Sequence, residues 1–178
     1  MSKRFPPFAQ ILPVYAVISF MIYGWTLVLA LWKFPSWLFF LRAGEIIAIL
    51  AYSFSLDLIE SLLVLALLLG AGYLLPSRLL REDFNVRGAV LAFVLLASAM
   101  LHLALYNNSD LRDAFVRSLL PWWGGTLPLA AGLLWLTSKV NWMRRSVLEL
   151  SDRMLVFLYI FIPLSLLSLV VVVVRNLA

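Results

Sequence analysis

The stretch SWLFFLRAGEIIAILAYSFSLDLIESLLVLALLLGAGYLL (residues 36–75) decides how many times this chain crosses a membrane. It is about twice as long as the apolar helix of about 20 residues that spans a bilayer. Charged side chains interrupt it at Arg42, Glu45, Asp57 and Glu60. An ionisable group within hydrocarbon is costly and marks a functional site by default, so the depth of these four residues bears on topology and on function.

The composition of the whole chain identifies lipid as its solvent. Hydrophobic residues make up 64% and charged residues 13% of the 178 residues, which is more apolar surface than one soluble core of this size can bury. Cysteine is absent, which excludes disulfides and thiolate chemistry. A net charge of +5 is explained by Lys and Arg in cytoplasmic loops, so we do not expect nucleic acid as a partner.

Apolar runs of membrane-spanning length predict an all-α, polytopic membrane protein with one transmembrane domain over residues 1–178. Four of the runs contain no charged side chain, and a fifth contains only Glu60, near its start. The five predicted spans are 11–32, 58–75, 88–106, 119–138 and 154–174.

The segment 36–54 has the pattern of an amphipathic helix. At 100° per residue, its polar side chains, including Arg42 and Glu45, fall within one arc, and large apolar side chains lie opposite. We expect this helix to lie in the outer interface or to re-enter the membrane without crossing it. The alternative is that it crosses, which gives six transmembrane helices.

Lys and Arg residues predict the orientation of the chain. With five spans and the N-terminus inside, the cytoplasmic side holds nine of them: Lys3, Arg4, Arg78, Arg81, Arg87, Lys139, Arg144, Arg145 and Arg153. The outer side then holds five: Lys33, Arg42, Arg112, Arg117 and Arg175. Six spans with the N-terminus outside give eight inside and five outside, so charge counting barely separates the two arrangements. Because Lys3 and Arg4 directly precede the first span, we predict five spans, an inside N-terminus and a cytoplasmic (inner or plasma) membrane.

The acids Asp57 and Glu60 have two interpretations. Their D-x-x-E spacing is that of a capping box, which predicts that a helix begins at Asp57 near the membrane surface. If the helix is instead continuous, both acids share one face with Arg42 and Glu45, as in a polar track for ions or protons. Arg42 and Glu45 are also spaced to form an i, i+3 ion pair.

Three further sets of residues are candidates for contacts. His102, the single histidine, lies near the end of the 88–106 span, where we expect a hydrogen bond between helices rather than a haem. Glycines in the 119–138 span permit close helix packing, and a proline there predicts a bend; the set is Gly124, Gly125, Pro128 and Gly132. Cations after this span are expected to contact anionic lipid headgroups: Lys139, Arg144 and Arg145.

The sequence contains no motif of a known catalytic or metal site. A phosphate-binding loop, HExxH, GxSxG and an acidic metal cluster are all missing, so we predict no catalytic residue, no cofactor and no metal ligand. The function expected is that of a non-catalytic subunit or scaffold of a membrane complex, whose partners are membrane lipids and either other subunits or a second copy. One alternative is a small transporter or channel for ions or solutes, lined by Arg42, Glu45, Asp57 and Glu60. Another is a lipid-modifying enzyme that uses acids of the outer face.

Overall fold

The computed structural model describes residues 6–74, 83–106 and 112–177, with Arg112 described by its backbone alone. These residues form α1 (Phe8–Phe40), α2 (Ala43–Leu74), α3 (Phe84–Tyr106), α4 (Arg112–Lys139) and α5 (Asn141–Leu177). All five helices are long and apolar enough to cross a membrane. The described chain is therefore an all-α, multi-pass membrane protein. The orientation residues Lys3, Arg4, Arg78 and Arg81 lie outside the described residues.

No separate amphipathic helix occupies residues 36–54. Residues 36–40 end α1, and residues 43–54 begin α2. The chain breaks at Leu41, whose backbone is extended, and α2 then starts after Arg42. The expected interfacial helix is wrong, because Arg42 and Glu45 lie at the turn between two long helices and the rest of the segment belongs to those helices. The six-span alternative has no sixth helix among the described residues.

A capping contact like the one predicted for Asp57 and Glu60 is found instead at the start of α2, between Arg42 and Glu45. The Glu45 carboxylate accepts a hydrogen bond of 2.7 Å from the backbone amide of Arg42, and the Arg42 carbonyl accepts from the amides of Glu45 and Ile46. Glu45 therefore caps α2 in the manner of the acid of a capping box. The prediction that a helix begins at Asp57 is wrong, because α2 continues without interruption through Asp57 and Glu60.

Side-chain contacts show that the helices alternate in direction. Tyr15 and Thr26 of α1 bond Ser61 and Asp57 of α2, so these two helices are antiparallel. Ser98 and His102 of α3 bond Trp122 and Ser118 of α4, so this pair is antiparallel as well. Phe20 packs on Phe157, and Tyr23 on Phe161, which makes α1 and α5 parallel. Helix α3 runs parallel to α1, because Val14 faces Gly88 and Thr26 shares a groove with Met100. The five helices therefore form an up-and-down bundle, as short connections between spans require.

Helix α1 lies at the centre of this bundle. It packs against α2, α3 and α5, and its residues from Pro13 to Ser19 are all buried. On α3, Gly88 permits the close approach of α1, since a methyl group there would stand 3.1 Å from a methyl carbon of Val14. Helix α4 packs mainly on α3 and has the smallest buried share of the five helices.

Replacing Gly88 by leucine is expected to destabilise the bundle. The new side chain would meet Val14 and the ring of Phe84, and overpacking of this kind costs about 1–3 kcal/mol. Thermal unfolding of the purified protein in detergent measures the loss. The matched control is Gly124→Leu, at a position with nothing within 4 Å; equal melting temperatures for the two variants would contradict close α1–α3 packing at Gly88.

Candidate functional site

Asp57 is the charged residue that the fold encloses most completely among the described residues. Only 4% of its surface is exposed, although it lies in the middle of α2. Its Oδ1 accepts a hydrogen bond of 2.7 Å from the Thr26 hydroxyl of α1. Its Oδ2 has no hydrogen-bond partner and is closed off from solvent. Since buried polar atoms are nearly always paired, this oxygen requires an explanation.

Asp57 lies within the span rather than at its end. Thr26 and Glu60 share a groove with Met100 and Leu103 of α3. Met100 lies six residues before the end of α3 at Tyr106, which corresponds to about 9 Å of helix. In the other direction, about 25 Å of α2 separate Asp57 from Leu74, again at 1.5 Å per residue. The carboxyl group is therefore surrounded by helices that cross the membrane.

Two open grooves adjoin Asp57, and both are lined by Thr26 and Glu60. The first, which we call the hairpin groove, lies between α1 and α2 and has a volume of about 380 Å³; its polar lining also includes Lys33, Ser53 and Asp57. The second, the lateral groove, has a volume of about 360 Å³ and is lined by Trp25 of α1 and by residues of α2 and α3. The exposed carboxyl of Glu60 thus lies beside both grooves.

The polar track expected along the start of α2 is only partly assembled. Asp57 and Glu60 line the hairpin groove, whereas Arg42 and Glu45 are not among its lining residues. Both of these residues are exposed at the α1–α2 turn, where the Glu45 carboxylate bonds the Arg42 amide. The fold therefore divides the four candidates into two acids beside the hairpin groove, the buried Asp57 and the exposed Glu60, and a turn that caps α2.

A row of hydroxyl side chains on α1 was missed by the sequence reading. Residues 15, 19, 23 and 26 are spaced by three or four, so Tyr15, Ser19, Tyr23 and Thr26 fall on one face of the helix. Tyr15 bonds Ser61 of α2, Tyr23 bonds Ser165 of α5, and Thr26 bonds Asp57. The spacing could have revealed this hydroxyl row, because it is the period of a polar stripe on an apolar helix.

His102 is buried between α3 and α4. Its Nε2 lies 2.8 Å from the Ser118 hydroxyl, and the rings of Tyr106, Phe115 and Trp122 surround the imidazole. One turn away, the Trp122 indole donates to Ser98 at 2.8 Å. These contacts attach the weakly buried α4 to α3. His102 is not among the residues that line the two grooves beside Asp57. The expected interhelical hydrogen bond is thus present.

The glycines of α4 do not pack against any helix of the chain that the structure describes. Gly124, Gly125 and Gly132 are exposed, and a methyl group added at each would have nothing within 4 Å. Pro128, also exposed, lies within the continuous helix α4. The predicted close packing at these positions, if it forms, needs a helix from outside this chain.

The three basic residues lie on both sides of the α4–α5 junction, with Lys139 at the end of α4 and Arg144 and Arg145 near the start of α5. Lys139 and Arg145 are exposed, and Arg144 forms an ion pair of 2.8 Å with Asp83, just before α3. Arg144 therefore ties the ends of two helices together. Because its side chain stays nearly half exposed, this ion pair contributes little to stability.

Comparisons with known proteins leave the site to be interpreted from its own geometry. No protein-family model, curated protein or solved structure matches the chain. The residues that the structure describes contain no group of three or more His, Cys, Asp or Glu side chains placed to hold a metal ion. The chemistry available at this site is that of one buried carboxyl group, a hydroxyl donor and a nearby second acid.

Proposed function

We propose that the protein is a small membrane transport protein that binds a cation at Asp57 while moving it across the bilayer. The observation that carries this proposal is the buried Asp57 carboxyl group, with one oxygen paired to Thr26 and the other without a partner. Buried polar atoms that serve structure alone are in most cases paired, since an unpaired buried polar atom lowers stability. Ionisable groups held inside transmembrane bundles mark ion pathways in the same way.

The neighbouring residues have distinct roles in this proposal. Thr26 fixes the Asp57 carboxyl by donating to Oδ1, and Glu60 adds a second negative group beside both grooves. Lys33 lines the hairpin groove from α1, about two turns from Thr26. Two carboxylates and one ammonium leave a net negative charge, which favours a cation over an anion as the occupant.

Transport by the purified protein tests this proposal. The protein is reconstituted into liposomes that contain a pH-sensitive or cation-sensitive dye, and a cation gradient is applied. We expect flux that increases with the amount of protein and exceeds that of protein-free liposomes. Flux equal to that of the empty liposomes, from protein that elutes as a single species before reconstitution, would contradict the proposed function.

For localisation, we propose a cytoplasmic (inner or plasma) membrane with the N-terminus inside. Support comes from the distribution of Lys and Arg. If the five helices cross in alternating directions from an inside N-terminus, nine of these residues fall on the cytoplasmic side and five on the outer side, as with the predicted spans. A cysteine added before the first helix should therefore stay unlabelled by a membrane-impermeant maleimide in intact cells. The matched control is Gly44→Cys at the exposed α1–α2 turn, which should be labelled. Labelling of the N-terminal cysteine but not of Gly44→Cys would show that the N-terminus lies outside.

A second candidate function is that of a subunit of a membrane complex. It is favoured by α4, whose glycines face away from the rest of the described chain with nothing within 4 Å. Small residues of this kind allow another transmembrane helix to approach closely. Co-purification of a stoichiometric partner, lost on Gly125→Leu but kept on a substitution in α2 such as Leu67→Phe, would favour this function.

A further inference from the structure

We infer that the cation bound at Asp57 is a proton, which attaches to Oδ2 of the carboxyl group. This inference rests on the proposed function and specifies its ion. Oδ1 already accepts the Thr26 hydroxyl, whereas Oδ2 has no partner and no contact with solvent. Binding of a proton converts the carboxylate to the neutral acid, and the Thr26 hydroxyl continues to donate to Oδ1.

The closure of Oδ2 argues against a metal ion. Ca²⁺ requires about six to eight oxygen ligands and Mg²⁺ a near-octahedral set, so both need several groups around one point. The described residues bring no third acidic, histidine or cysteine side chain to Asp57, and Oδ2 has no accessible surface for a hydrated ion. A proton needs no cavity and a single oxygen, which is what this position offers.

The charged and titratable groups around Asp57 come from two helices. Glu60 lies one turn along α2, and Lys33 of α1 lines the same groove. Tyr23 of α1 is within electrostatic range of Asp57 and is hydrogen-bonded to Ser165 of α5. The α3 residues that line the lateral groove are all uncharged. Asp57 is thus the enclosed acid, and Glu60 the exposed acid beside it.

The surroundings of Asp57 give a proton two directions of approach. On one side is the open hairpin groove, which contains Glu60, Lys33 and Ser53. On the other side the hydroxyl row of α1 continues through Tyr23 to Ser19, which is buried and has no hydrogen-bond partner among the described residues. Tyr23 bonds Ser165 and Thr26 bonds Asp57, and the described residues show no bond between members of the row, so the hairpin groove is the more direct of the two approaches.

Covalent labelling with dicyclohexylcarbodiimide tests the inference apart from transport, because this apolar reagent modifies protonated carboxyl groups. The purified protein is treated with it, and the modified residues are identified by mass spectrometry of peptides. We expect Asp57 to be modified about ten-fold more than the exposed Glu45, with modification that falls as the pH is raised and is unaffected by Na⁺, K⁺, Ca²⁺ or Mg²⁺.

Controls separate this inference from the proposed function. Asp57→Asn should remove the modification, and Glu45→Gln, at the exposed start of α2, should preserve it. Protection of Asp57 by one of the metal ions, or modification of Asp57 that does not fall as the pH is raised, would overturn the proton inference. Proton flux by the unlabelled protein in liposomes, together with modification of Asp57 in the purified protein, supports both proposals. Labelling of Asp57 without any flux supports proton binding and contradicts transport; metal-ion flux with a metal-protected Asp57 does the reverse.

Discussion

Asp57→Asn is expected to abolish cation flux in reconstituted liposomes. The amide keeps the size of the side chain and an oxygen for the Thr26 hydroxyl, but it cannot carry a negative charge or bind a proton at the second position. Loss of the charge that binds the cation should lower the initial rate about ten-fold or more, because each 1.4 kcal/mol of lost binding is a factor of ten. The measurement is the initial flux per mole of protein at a fixed gradient.

A matched acid elsewhere on α2 provides the control. Glu45→Gln keeps an oxygen that can accept from the Arg42 amide at the exposed start of α2, so we expect flux close to that of the unmodified protein. Asp57→Glu should restore part of the flux, because it returns the carboxyl group one methylene further out. Full flux in Asp57→Asn would remove Asp57 from the mechanism, and equal losses at Asp57 and Glu45 would favour a general effect on folding.

The second large effect concerns stability. Thr26→Val leaves both oxygens of Asp57 without a hydrogen-bond donor, and we expect a loss of about 1–3 kcal/mol in the free energy of unfolding. Thr26→Val combined with Asp57→Leu removes both polar partners. The double variant should be at least as stable as the original chain, because replacing both partners by apolar groups of similar shape is nearly neutral or stabilising.

Thermal unfolding in detergent measures these differences. For a domain of this length, each kcal/mol corresponds to a change of about 2–4 °C in the melting temperature. The matched control is Thr137→Val. Its buried hydroxyl bonds only carbonyls of its own helix, so this variant measures the loss of a hydroxyl group in the bundle. A double variant clearly less stable than the original chain would show that Asp57 is retained for the fold. An inactive but stable double variant would separate function from stability at this site.

The helices themselves could be predicted from local pattern. Runs such as 88–106 and 154–174 are too long and too apolar for any other structure, and the structure has α3 and α5 over them. The prediction of helix boundaries was wrong within residues 36–75, where composition alone permits a break at either of two pairs of charged residues. Both Arg42–Glu45 and Asp57–Glu60 have the i, i+3 spacing of a helix start, and spacing carries no information about which pair meets solvent.

Tertiary contacts settled that choice. At residue 42 the chain turns so that α2 can return along α1, and the backbone groups exposed by the turn are satisfied by Glu45. At residue 57 the neighbouring helix supplies Thr26, so Asp57 can remain inside a continuous helix. No local rule predicts a hydrogen bond to a residue 31 positions away, and for this reason the pair Thr26–Asp57 was not found in the sequence.

By itself, the sequence determined that this chain is a helical membrane protein, because hydrophobic length and the scarcity of charge leave no other solvent for its surface. It also placed four charged residues in the decisive stretch. Only the tertiary structure decided which of them are buried. The packing of α2 on α1 encloses Asp57 and exposes Glu45, since enclosure depends on which helices meet, whereas a sequence pattern specifies only the face on which each residue lies.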